Sequence, residues 1–304
     1  MLLSIHSGSV LHSSPGRVIT DLQRTAAAGL SGYWAPMLAG MDTLTMLAVA
    51  GSAVPNVEIG TAVVPIPLRS PYALAQQART IQAITDGRLT LGLGTSHPAM
   101  VREIFGSEWQ PPLAAMRDYL AALTPLLRDG SGPAAAVSVS APPVLLGALN
   151  PAMARLAVEQ ADGVVTWAAG RGTLEDVILP AAADRPAGLP FRIVVALPFA
   201  VTGDPASTRA TVHERYGSND DQPSYAKVRA RESGRGIADL AVVGDEDHVI
   251  RVLDELAGLG VTEFAAHIVA SREDVDRTWE LLTRLASQQS NRREPVPSPT
   301  QEEH

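Results

Sequence analysis

The stretch EIGTAVVPIPLRSPYALAQQARTIQAITDGRLTLGLGTSH, residues 58–97, decides how the rest of the chain is read. Its opening residues, 58–66, are rich in apolar and β-branched side chains and end among prolines, which reads as a strand. Pro71 then starts a segment with apolar residues at helical spacing as far as Ile84, and Asp86-Gly87 stops it. Residues 89–94 are a second apolar strand. Strand, helix and strand in one short run make a βαβ unit. Unbroken apolar strands of this kind belong to a parallel sheet covered on both faces.

The same rhythm extends in both directions. Strand-like runs fall at 2–5, 32–38, 58–66, 89–94, 143–149, 163–168, 192–201 and 262–269. Helical patterns lie at 15–30, 43–53, 71–84, 111–127, 151–160, 174–183, 249–259 and 274–286. Eight such units predict an α/β fold, a closed (β/α)8 TIM barrel, with an open doubly wound sheet as the alternative. Two segments, 97–110 and the polar, Arg-rich 202–239, are too long for plain turns. They read as insertions after strands four and seven, placed to act as lids. Residues 1–287 are expected to form a single domain, and the polar, proline-dotted 288–304 a disordered tail.

Composition removes several function classes. The 304 residues are 46% hydrophobic, ample for one large core. With 32 acidic against 24 basic side chains the net charge is −8, which leaves no footprint for nucleic acid or an anionic membrane. Without cysteine there are no thiolate nucleophiles, zinc-thiolate sites or iron–sulfur clusters. No HExxH motif or carboxylate cluster suggests a metal. The start, MLLSIHSGSVLHSS, lacks a basic n-region, and no apolar run is long enough to span a bilayer, so a cytoplasmic location is expected. Lys227, the one lysine, lies in the polar insertion, so a Schiff-base aldolase lacks its strand-end amine.

Barrel active sites lie at the C-terminal ends of the strands, and several candidates fall there. Gly92-Leu93-Gly94-Thr95-Ser96-His97 leaves strand four with two glycines that let backbone approach a ligand, then two hydroxyls and an imidazole. The plain alternative is a glycine-rich turn with a surface histidine. As GxGxxG the run fails, because position six is His97. Asn150-Pro151 opens a helix whose free N–H groups suit a phosphate, or Asn150 is simply its N-cap. The strand end at Val63, Val64 and Pro65 either floors a flat ring or packs the barrel. Trp34 and Trp167, both near strand ends, either stack on a ring or fill the core. His6 ends strand one, and His267 within the last strand reads as a core histidine.

Residues 58–97 closely resemble the luciferase-like monooxygenase superfamily, and within it the oxidoreductases that use coenzyme F420, a deazaflavin. RDYLAALTPLL (117–127), PVLLGALNPAMARLAVEQADGVVTWAAG (143–170) and AVVGDEDHVIRVLDELAGLGVTEF (241–264) continue the resemblance in order. It implies a (β/α)8 barrel with the cofactor at the C-terminal strand ends. Val63, Val64 and Pro65 would lie against the ring, and Thr95, Ser96 and His97 would flank ring and substrate. Leu149 and Asn150 would receive the phosphate, Thr166 and Trp167 would line the ribityl side, and Trp34 and His6 would face the ring. The implied activity is hydride transfer between F420 and a small organic substrate, with His97 as proton partner and Trp34 beside it. An FMN-dependent two-component monooxygenase and a non-catalytic flavin-binding barrel are the alternatives. The resemblance also implies a homodimer. Relatives carry a histidine after strand three, where this chain has Leu68-Arg69-Ser70-Pro71.

Overall fold

A computed structural model of the chain describes residues 1–128 and 139–291. Its strands are β1 (Leu2–His6), β2 (Gly32–Ala35), β3 (Glu58–Thr61), β4 (Val64–Pro65), β5 (Leu89–Gly94), β6 (Val144–Gly147), β7 (Gly163–Trp167), β8 (Arg192–Val201), β9 (Val242–Gly244) and β10 (Glu263–Ile268). All pair in parallel, in the order β10-β1-β2-β3-β5-β6-β7-β8, and β8 pairs back onto β10 from Glu263↔Val194 to Ile268↔Phe199. That last ladder closes the sheet. The fold is an eight-stranded parallel barrel, not an open sheet. β4 resumes the line of β3 against β5, and β9 adds to the far end of β8.

The outer helices start where the sequence supplies caps. Ser14, Asp42, Ser70 and Asn150 each accept the backbone N–H three residues on, at the heads of Pro15–Ala27, Thr43–Ala53, Pro71–Ile84 and Pro151–Gln160. Their apolar stripes, with Leu22, Leu47, Leu74 and Leu156 fully buried, join Ile59, Leu91 and Leu146 from the outward faces of the strands in one core.

The 202–239 insertion is more ordered than its polarity suggests. It holds helices Pro205–Tyr216, Pro223–Arg231 and Ile237–Leu240. Each buries only one or two side chains (Thr208 and Val212, Val228, Ile237), too few for a periodic signal. At the other end, helix Val275–Asn291 runs four residues past the expected domain limit, and the rest of the expected tail, 292–304, lies outside the described residues.

Candidate active site

The barrel interior is layered, and its lowest layer is polar. Arg192 donates to Glu58 (2.6 Å), Glu263 (2.6 Å) and the Thr90 hydroxyl (3.0 Å). The Ser4 and Thr90 hydroxyls donate to Glu263 and Glu58 respectively. Trp34 Nε1 donates to Glu263 at 2.6 Å. The indole is 1% exposed and packs with Leu145, Val165, Val194 and Ala265. Gly60 leaves room for it, since a Cβ there would meet the ring at 2.5 Å. Trp34 therefore fills the barrel beneath the mouth with its N–H committed downward. Ala62, Val63 and Trp167 pack against the same cluster.

Above this layer the wall is reshaped around β3. Thr61 Oγ1 donates to Gly92 O and accepts from Gly92 N–H, both at 2.8 Å, replacing ladder bonds where the strand breaks. The Ala62–Val63 peptide is cis. Val63 leans across β5, where a Cβ on Gly94 would meet its methyl group at 2.4 Å, and a Cβ on Gly92 would meet Thr61 O at 2.0 Å. The glycines of β5 thus make room for Thr61 and Val63 of the neighbouring segment. Strand alternation turns Val64 and Thr166 toward the outer face. Val64 is fully buried in the outer core with Pro65 buried next to it, and Thr166, 1% exposed, lies between the inward-facing Val165 and Trp167. Its hydroxyl sits 3.5 Å from Val194 O.

Two groups of expected residues do meet at the mouth. Thr95, Ser96 and His97 are half-buried at the end of β5, with Ser96 in the left-handed region (φ 62°). Thr95 lines a cavity of ≈ 230 Å³ with Ile66, Pro67, Val101 and Trp109. The His97 ring is 6.1 Å from that of Tyr225, and its nitrogens make no hydrogen bond among the described residues. Burial lowers its pKa below the ordinary 6.5, so the imidazole is neutral at physiological pH. At the end of the neighbouring strand β6, Asn150 Oδ1 accepts from Met153 N at 3.0 Å, while the Ala152 N–H of the same first turn has no partner among the described residues. Asn150 is the N-cap of this helix.

Sequence reasoning missed what the insertion contributes. Arg231 donates to Leu149 O at 3.2 Å. Glu232, fully buried, accepts from the backbone N–H groups of Gly170, Gly172 and Thr173 at 3.0, 3.1 and 2.7 Å. Neighbouring charges thus pin the insertion to the loops after β6 and β7. Tyr216 reaches the centre of the mouth, where its hydroxyl lies 2.7 Å from His267 Nε2. His6 stacks on Trp167 (4.9 Å, 22°) and approaches His267 Nδ1 at 3.1 Å. In the sequence, 231–232 is one more charged pair in an Arg-rich run, and only the tertiary path gives it a target.

Comparison with known proteins places this architecture. The model of the luciferase-like monooxygenase family matches residues 1–263. The chain belongs to that family. Among luciferase-like relatives, a protein of Mycobacterium tuberculosis strain H37Rv, named as a coenzyme F420-dependent oxidoreductase, is 40% identical over 81 residues. That match spans 27% of this chain and only 23% of the relative. An F420-dependent secondary alcohol dehydrogenase, solved with an F420-acetone adduct, superposes with TM-score 0.76 at 15% identity, covering 93% of this chain and 97% of its own. The oxygenating component of a 3,6-diketocamphane monooxygenase from Pseudomonas putida, solved with FMN, gives TM-score 0.69 at 14% identity over 95% and 98%. At such identities the structures attest the shared fold. Luciferase-like proteins of this kind are oxidoreductases. Among the described residues no cluster could hold a metal, and no helix is long and apolar enough to cross a membrane.

Proposed function

We propose that this luciferase-like barrel transfers a hydride between coenzyme F420 and a small organic substrate. The observation that carries it is the arrangement of the mouth. An apolar floor at Ala62 and Val63 lies beside the adjacent ends of β5 and β6, which carry a neutral imidazole, His97, and an open helix start at Asn150. A flat ring, a proton partner and an anionic tail each find a suitable surface there. The residues present fit such a group: Val63 and Trp167 offer apolar surface, Thr95 lines a cavity at the end of β5, and the Ala152 N–H suits a phosphate. When bound, a deazaflavin supplies hydride chemistry at a ring carbon. The protein supplies orientation, exclusion of water by the insertion, and His97 to take or return the substrate's proton. The relative named for F420 supports this cofactor. FMN is the second reading, favoured by the FMN complex of the same fold. Pairing of two copies belongs to the same proposal.

Replacing Asn150 with aspartate separates the two jobs of that residue. Aspartate caps a helix as well as asparagine does, so stability should change by less than about 0.5 kcal/mol. A carboxylate beside a cofactor phosphate opposes binding, and the Kd for F420 should rise roughly 10–100-fold. Fluorescence titration of both proteins reads the difference. An unchanged Kd would place the anionic tail elsewhere.

A further inference from the structure

We propose that Tyr216, His267 and His6 form a proton relay from the insertion to the Ala62–Val63 floor, giving the mouth a second proton-handling group besides His97. The hydrogen-bond pattern fixes its direction. His267 Nδ1 lies 3.1 Å from the His6 carbonyl oxygen, which only accepts, so His267 carries its proton on Nδ1. His267 Nε2 must then accept from the Tyr216 hydroxyl, 2.7 Å away. His6 Nδ1, 3.1 Å from the same donating nitrogen, must be bare, which puts the His6 proton on Nε2. His6 also meets an acceptor in the Ala62 backbone. The chain of donors therefore runs Tyr216 Oη–H, His267 Nδ1–H, His6 Nε2–H, and ends at the floor. Trp167, stacked on His6 and edge-on to His267, clamps both rings.

The surroundings keep this chain neutral. Burial lowers the His6 pKa to about 3, with His267 adding to the effect, and burial lowers that of His267 to about 4, with Arg215 opposing its charge further. Burial raises that of the Tyr216 hydroxyl. Neutral, oppositely tautomeric imidazoles pass a proton without either resting as a cation.

The use of the relay rests on the hydride-transfer reading. Oxidising an alcohol breaks one C–H and one O–H bond and forms C=O. A bound deazaflavin would supply the hydride chemistry that accounts for both electrons, His97 would hold the hydroxyl proton, and one further proton would be needed at the floor to complete the reduction. The relay delivers that second proton. As a solvent proton joins Tyr216 Oη, the Tyr216 proton moves to His267 Nε2, the His267 Nδ1 proton moves to His6 Nδ1, and the His6 Nε2 proton leaves at the floor. Passage in the opposite direction restores both tautomers.

The test needs no substrate. Long-range ¹H–¹⁵N spectra of the full chain at neutral pH should show His267 protonated on Nδ1 and His6 on Nε2. In Tyr216→Phe, exchange of these two ring protons with solvent should slow on the order of tenfold, because their acid–base exit is gone. A merely structural tyrosine predicts the opposite, since loosened packing speeds exchange. Matching tautomers, or exchange that is unchanged or faster, would overturn the relay. Failure of the protein to bind F420 or FMN would instead count against the functional reading, with the ring-proton measurements still deciding the relay.

Discussion

Arg192→Leu should destabilise the protein by about 3–5 kcal/mol, the loss typical when one partner of a buried ionic network is removed. Arg192 is the cation between Glu58 and Glu263, and Glu263 is almost fully buried. Leucine leaves two carboxylates facing each other across the barrel floor, one of them still holding the Ser4 hydroxyl and the Trp34 indole. The damage should therefore reach the interior and not stop at a surface contact. Adding Glu58→Gln and Glu263→Gln to Arg192→Leu should recover more than half of the loss, since a neutral set no longer buries unpaired charge. Denaturant unfolding of the three proteins measures both effects. A loss below about 1 kcal/mol would mean that the network behaves as an exposed ion pair.

His97→Ala should lower turnover by roughly 10²–10⁴ while leaving cofactor affinity nearly intact, the signature of a lost acid–base group. His97 stands at the end of β5 with neither ring nitrogen hydrogen-bonded among the described residues, so no structural hydrogen bond seen there is removed with it. Its pKa is lowered by burial, which gives the pH profile a definite sign. A folded-state value under 6.5 keeps the imidazole in its basic form down to lower pH. The acid limb of kcat/KM for an alcohol substrate should therefore lie below 6.5 and disappear in His97→Ala. The panel for this assay is the set of alcohols, ketones and enones that the unaltered protein turns over. Unchanged turnover in the variant would remove His97 from the chemistry.

The barrel was legible because its signals are local. Each strand is a short apolar run, helices such as Pro15–Ala27, Pro71–Ile84 and Pro151–Gln160 begin at a proline and a side-chain cap, and eight repeats leave few ways to close. β9 escaped notice at three residues, and β3 was read as continuing through 66 because nothing in the local sequence marks the break at Ala62–Val63. The mouth was harder. Thr95, His97 and Asn150 stand where strand ends announce them, whereas the faces of Val64 and Thr166 depend on a register that one residue reverses. A strand as short as that of Trp34 does not show in the sequence how deep in the barrel its side chains sit. Tyr216, Arg231 and Glu232 act through a path that leaves the barrel and returns, and no periodicity encodes where such a path lands.

Titration of the purified protein with coenzyme F420 and with FMN, followed by quenching of cofactor fluorescence, tests the functional assignment most directly. Binding of F420 with Kd in the micromolar range or tighter, and of FMN at least about tenfold more weakly, is the predicted result. Tighter binding of FMN, or no binding of either, would contradict it.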